Sequence, residues 1–196
     1  MKFGVLGTGG IAGKVLTVGI RRSGNTVLAV GSRSIDSATM FASKFDIPKF
    51  YGSYQELLDD PEIEAVYIAL PSVLHKEWTL KAAKAKKHIL CEKPVAFYTA
   101  DVIEMMAACK SADVVFLDGT FFKHHPRNAE IGRLVTSGEL GDVTSVFSHF
   151  SFDMRTMKDD AIRFRPDLER TGVLGDMAWY TVRFGLHVYN YELPEK

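Results

Sequence analysis

Cysteine is scarce in this chain. Cys91 and Cys109 are the two present among 196 residues, too few for a disulfide framework at this length. Cys91 falls inside the apolar run HILCEKP, where a buried, reduced thiol is expected. A reducing, cytoplasmic setting is therefore the expected one. An excess of charge is missing too: Lys+Arg and Asp+Glu both number 24. Zero net charge gives no overall attraction to nucleic acid or to an anionic membrane. The local basic run KAAKAKKHIL reads as the solvated face of a helix. No apolar run approaches the roughly 20 residues of a membrane-spanning helix. The opening MKFGVLGTGG enters a strand at once, which leaves no room for the apolar core and cleavage site of a secretion signal. His124 and His125 are adjacent and in an extended chain point to opposite faces. No Cys/His spacing resembles a zinc motif, so no metal is expected.

What the sequence does have is alternation. KFGVL and NTVLAVGS read as buried strands around a helix, IAGKVLTVGIRRSG, closed by Gly24. SIDSATMFASKFD reads as a helix with Ser34 as N-cap and Pro48 beyond its end. KFY, EAVYIAL, HILCE and DVVFLDG read as further strands. SYQELLDDPEI, VLHKEWTLKAAKAKK and TADVIEMMAACKSA read as the helices between them. Strands alternating with helices of about 10–15 residues indicate βαβ units and a parallel sheet. After Gly119 the texture changes. FFKHHPRNAEIGRLVTSGELG reads as a helix begun near Pro126 and ended by Gly138, and DVTSVFSHFSFDM as a strand of a different, antiparallel sheet. RTMKDDAIRFRPDLERTG reads as a polar loop.

The expected fold class is thus α/β. A Rossmann-type doubly wound parallel sheet occupies 1–119, followed in 120–196 by the start of an α+β substrate and dimerisation domain that looks truncated. One long ribbon cannot support itself, and its edges invite pairing.

The first turn, GVLGTGGIAGKV, follows a strand and opens a helix. Gly7 permits the tight turn, Gly9 lets a pyrophosphate approach the backbone, and the small Ala12 packs helix on strand. Thr8, Gly10 and Ile11 complete the turn, and N–H groups at the helix start can bind phosphate. An NAD site would place Asp or Glu about 20 residues on. Counting from Gly13 arrives instead at Arg33, within GSRS. Arg33 can pair with a 2′-phosphate, and Ser32 and Ser34 can donate to it. NADP is favoured over NAD; the plainer alternative leaves Arg33 as an exposed loop residue. None of the tyrosines has Lys four positions later, against the Tyr-x-x-x-Lys pair of short-chain dehydrogenases.

CEKPVA places Glu92, Lys93 and Pro94 at a strand's carboxyl end, where ligands bind in open α/β sheets. Pro94 keeps Lys93 out of the helical region. An ammonium there could polarise a substrate oxygen or depress a neighbouring acid's pKa. Near the C-terminus, Asp176, Tyr180, Arg183 and His187 recur at spacings of four, three and four, one face of a helix. Tyrosine ordinarily titrates near 10, but a nearby Lys⁺ would favour the phenolate that an alcohol oxidation needs as base. The bland alternative is a polar seam with Tyr180 merely packing.

GVLGTGGIA, AVGSRS, LPSVLH, CEKPVA and GVLGDMAWY, in this order over the whole chain, resemble the glucose–fructose oxidoreductase, inositol dehydrogenase and rhizopine-catabolism family. The resemblance is to its dihydrodiol and D-xylose dehydrogenase branch. It implies that Leu70, Pro71 and His75 line the cofactor edge, that Glu92 helps hold the nicotinamide ribose, and that Lys93 is the catalytic lysine. Asp176 and Tyr180 fall on the family's third motif, with Tyr180 as acid/base. Many relatives carry a carboxylate where this chain has Arg183. The implied function is an NADP-dependent oxidoreductase moving hydride between nicotinamide and a hydroxyl or carbonyl carbon of a sugar, trans-diol or similar polyol. A homodimer is implied if the full C-terminal sheet is present. The alternative is a non-catalytic NADP(H)-binding sensor, or an inactive fragment of the enzyme.

Overall fold

A computed structural model describes residues 1–153, 155, 161–172 and 174–192. They form two compact units, Met1–Gly119 and Thr120–Lys196. Residues 156–160 of the expected polar loop lie outside the described set. Among the described residues no helix is long and apolar enough to cross a membrane.

In the first unit the strands are β1 Lys2–Leu6, β2 Thr26–Gly31, β3 Lys49–Tyr51, β4 Ala65–Ile68, β5 His88–Cys91 and β6 Phe116–Asp118. They form one sheet of order β3-β2-β1-β4-β5-β6, parallel at every pairing. Consecutive residues of each strand point to opposite faces, and both faces are covered. Leu6, Val66, Ile68 and Ile89 bury with Leu57, Leu58, Ala82 and Met105 on one side. Val5, Val27, Val30 and Tyr67 bury with Ile20, Phe41 and Ala42 on the other. Two-sided burial is why these strands read as continuous apolar runs rather than as alternation. Each such aliphatic side chain contributes about 1.5–3 kcal/mol on burial.

The helices are α1 Thr17–Arg22, α2 Ile35–Phe45, α3 Tyr54–Asp59, α4 His75–Lys84 and α5 Thr99–Ser111. A π-helical turn, Ala12–Leu16, leads into α1. Ser34 caps α2 through the Ser37 N–H. Ser53 caps α3 through the Glu56 N–H, 3.1 Å away, an orphan donor satisfied as capping requires. Gly24 ends the first helix with φ +78°.

The second unit holds a 3₁₀ turn at Phe121–His124, α6 Pro126–Thr136, a π-helical turn at Leu174–Ala178 and α7 Trp179–Val188. Pro126 stands in the first turn of α6, where its missing N–H costs nothing, and His125 Nδ1 accepts from the Arg127 N–H at 3.2 Å. Two expectations need correction here. Residues 142–153 form no strand, because a ladder needs a neighbour and the described residues of this unit include no second strand. The closing helix is not uniformly α either. Asp176 sits in the π turn while Tyr180, Arg183 and His187 sit on α7. Residues four apart in a turn of i→i+5 closure still fall near one face, so the π turn changes the local closure but leaves Asp176 and Tyr180 on a common side.

Candidate active site

Strand order reverses between β1 and β4, so the connections leaving their carboxyl ends diverge and open a crevice. The sheet's hydrogen bonds continue one step beyond the strands and fix what stands there. Gly7 N–H donates to the Gly31 carbonyl (2.9 Å), Ser32 N–H to Tyr51 (3.1 Å), Glu92 N–H to Ile68 (3.0 Å), and Gly119 N–H to Cys91 (2.7 Å). The glycine turn, Ser32–Arg33, Leu70–Pro71 and Glu92–Lys93 therefore share one edge of the sheet.

Gly7 has φ +106°, and a Cβ there would stand 2.8 Å from the Ala69 carbonyl oxygen; only glycine fits without strain. Nothing lies within 4 Å of where a Cβ on Gly9 or Gly10 would stand. That face of the turn is open, the condition a pyrophosphate needs to reach backbone N–H groups at a helix start. Ala12 is fully buried, as helix-on-strand packing requires, and Thr8 and Ile11 flank it on the turn. Gly13 packs closer still, since a Cβ would meet the Phe45 ring at 2.4 Å. Arg33 is exposed beyond β2, with its guanidinium beside the Tyr54 hydroxyl. Burial pushes that hydroxyl up, and Arg33 opposes the rise. Ser32 is buried, and its Oγ accepts from the Ser34 N–H at 3.4 Å.

Glu92 is 6% exposed, deep for a carboxylate. Its Oε1 accepts from the Tyr67 hydroxyl at 2.8 Å and its Oε2 from the Lys93 N–H at 3.2 Å. Burial, then the charge of Glu92, push the Tyr67 hydroxyl far up, so Tyr67 stays protonated and donates. Lys93 is half-buried, and its peptide bond to Pro94 is cis. His75, 1% exposed, places Nδ1 2.8 Å from the Pro94 carbonyl oxygen and Nε2 2.9 Å from that of Leu70. It thereby ties the turn after β4 to the turn after β5.

In the second unit Tyr180 is half-buried and its ring lies against Phe150, with centroids 4.7 Å apart. The two border a cavity of about 460 Å³ walled by Phe121, Phe122, Phe147 and Phe184, within the range of small-molecule pockets. Asn128 also lines it; its side-chain oxygen is buried without a hydrogen-bond partner among the described residues. His187 stands 2.7 Å from the Asn128 carbonyl oxygen, which accounts for the last member of the polar stripe as a link from α7 to α6. Arg183 lies over the Trp179 ring at 5.8 Å. Among the described residues no group of three or more His, Cys, Asp or Glu could hold a metal.

Two residues that contact or closely approach Glu92 were not read from the sequence. Tyr67 was read only as part of the strand EAVYIAL, yet a tyrosine inside a strand buried on both faces needs a partner for its hydroxyl, and that need was the available signal. Gly119 was read only as a boundary; a Cβ there would come within 3.2 Å of Glu92 Cα.

A parallel sheet of order 3-2-1-4-5-6 with a glycine turn at its switch point defines a dinucleotide-binding Rossmann domain. Residues 1–120 match the Gfo/Idh/MocA "Oxidoreductase family, NAD-binding Rossmann fold", and residues 128–193 match the "GFO/IDH/MocA C-terminal domain". The chain belongs to this family, the one named for glucose–fructose oxidoreductase, inositol dehydrogenase and rhizopine catabolism. It is 38% identical to D-xylose 1-dehydrogenase (NADP(+)) 2 of Haloferax volcanii, over 93% of this chain and 55% of that protein. It is 33% identical to trans-1,2-dihydrobenzene-1,2-diol dehydrogenase of Mus musculus, over 100% of this chain and 58% of that one. Among solved structures, a 3-ketoreductase from Actinomadura kijaniata in complex with NADP and TDP-benzene superposes with a TM-score of 0.87 at 27% identity, covering 96% of this chain and 57% of that one. The chain spans about half the length of the curated relatives it matches.

Proposed function

We propose that this protein is an NADP-dependent oxidoreductase acting on a hydroxyl or carbonyl carbon of a sugar, trans-diol or similar small polyol. The observation that carries the reading is the convergence at one sheet edge of an open glycine turn, an exposed arginine and a fixed Glu-Lys-Pro turn. Backbone groups of Gly7, Thr8, Gly9, Gly10, Ile11 and Ala12 would hold the pyrophosphate. Arg33, with Ser32 and Ser34, would meet the 2′-phosphate. Leu70 and Pro71 would line the nicotinamide side, their turn braced by His75, and Glu92 would accept from a ribose hydroxyl. When bound, the nicotinamide supplies or accepts the hydride.

The chain's own residues handle the proton and the charge. Lys93 polarises the substrate oxygen with its ammonium. Tyr180 takes the hydroxyl proton in oxidation and returns it in reduction. Asp176 orients substrate hydroxyls. The aromatic wall around Tyr180 gives the substrate carbon skeleton an apolar surface, and the Asn128 side-chain oxygen offers an acceptor for a hydroxyl.

A second reading, an NADP(H)-binding protein without turnover, is favoured by one observation. Residues 142–153 lie without a ladder. Reduced-nicotinamide absorbance with aldoses and trans-diols separates the two. Turnover that disappears in Tyr180→Phe while NADPH binding persists supports catalysis; undiminished turnover in that variant removes Tyr180 from the mechanism. Tight NADPH binding with no turnover on any sugar, diol or ketone supports the second reading.

A further inference from the structure

Tyr67 occupies the middle of β4, opposite Leu90 of β5. Residues two apart on a strand share a face, and extending that face past Leu90 reaches Glu92. The phenol spans this step and donates to Glu92 Oε1 at 2.8 Å. Its ring is 0% exposed and packed in the core on the α1–α2 side, so the hydroxyl has little freedom to follow a moving partner. Two other features restrict the same carboxylate. The Lys93 N–H donates to Oε2, and on the β6 side Gly119 approaches so closely that a Cβ would stand 3.3 Å from Glu92 Cδ. Loss of the Tyr67 hydroxyl would take one donor from a carboxylate this buried and free it to turn from its present orientation.

We propose that Tyr67 is a positioning residue for cofactor binding: from the core of the sheet it fixes the Glu92 carboxylate in the orientation that accepts from a ribose hydroxyl of the nicotinamide half. This rests on the reading of Glu92 given above. Tyr67 touches no substrate or cofactor itself and acts only through Glu92.

The test is calorimetric binding of two probes to the full chain. NADPH spans both halves of the site, whereas adenosine 2′,5′-bisphosphate occupies only the adenine half. Tyr67→Phe is expected to weaken NADPH about tenfold or more, the scale of one hydrogen bond to a charged group, and to leave the bisphosphate unchanged. Glu92→Gln is expected to weaken NADPH similarly, and adding Tyr67→Phe to it to change little further. Weakened NADPH in Glu92→Gln with wild-type binding in Tyr67→Phe overturns the role of Tyr67 while sparing that of Glu92. Wild-type NADPH binding in Glu92→Gln overturns both. Equal weakening of both probes in Tyr67→Phe marks a general loss of structure and also overturns the proposal. If Tyr67→Phe does not fold, Gly119→Ala pushes on the same carboxylate from the other side. It should weaken NADPH and spare the bisphosphate; unchanged NADPH binding there counts against a fixed carboxylate.

Discussion

Gly7 and Gly9 stand two residues apart in one turn, yet alanine at each should have opposite consequences. At Gly7 the backbone sits at φ +106°, where a side chain costs about 1–3 kcal/mol in strain. The added Cβ would also stand 2.8 Å from the Ala69 carbonyl oxygen, and that backbone cannot yield without disturbing the end of β4. Together the effects predict a loss of roughly 2–4 kcal/mol. For a chain of this size each kcal/mol moves Tm by about 2–4 °C, so Gly7→Ala should melt on the order of 5–15 °C lower. At Gly9 nothing lies within 4 Å of the new Cβ, and Tm should stay within about 2 °C of the wild type. The methyl would nevertheless occupy the surface a pyrophosphate must approach, so NADPH affinity should fall by about tenfold or more while the fold is intact. Scanning calorimetry and NADPH fluorescence titration read the two quantities separately. A Gly9→Ala protein that binds NADPH normally would refute the placement of the phosphates, and a Gly7→Ala protein as stable as wild type would refute the strain argument.

Other expectations concern the first unit. Asp60 is buried; burial opposes its ionisation, but hydrogen bonds from Lys49, the Glu62 N–H and Tyr51 outweigh it and hold the carboxyl down to about 2. A pKa lower in the folded than the unfolded state stabilises above the unfolded value near 4, and that stabilisation fades as pH falls toward 2. Asp60→Asn should cost roughly 1–2 kcal/mol at pH 7, the lower figure allowing for solvent around Lys49. The gap should close between about pH 4 and 2 in urea unfolding; a gap constant over that range would contradict the assignment. Leu57 is fully buried in the core beneath the sheet, and Leu57→Ala should lose about 2–5 kcal/mol, measured by the urea midpoint. Burial pushes the thiols of Cys91 and Cys109 up, so neither should react with iodoacetamide in the native protein at pH 7. Labelling at the rate of a free thiol would mean that the core opens.

The doubly wound sheet was legible because its signals are local. Ser34 as a cap, Gly24 as a stop and apolar runs of strand length each follow from neighbouring residues. The glycine turn was legible for the same reason. What escaped depends on partners distant in the chain. Tyr67 and Glu92 lie 25 residues apart and meet only because β4 and β5 are neighbours. Gly13 is tight because Phe45 of α2 comes to it. Residues 142–153 show why alternation alone does not make a strand. The pattern in DVTSVFSHFSFD specifies a face, but the ladder needs a second strand, and Phe147 is left 92% exposed. The closing stretch has helical periodicity, yet periodicity does not reveal the π turn that carries Asp176.

The proposed dinucleotide site would read a 2′-phosphate through Arg33. Its most direct test is the ratio of NADH to NADPH dissociation constants in the wild type and in Arg33→Ala, measured at one fixed salt concentration. Charge-assisted bonds to the phosphate predict that the wild type prefers NADPH by about 10- to 150-fold. In Arg33→Ala most of that preference should vanish through weaker NADPH binding, with NADH unchanged. Equal affinities in the wild type, a preference for NADH, or no binding of either nucleotide would contradict it.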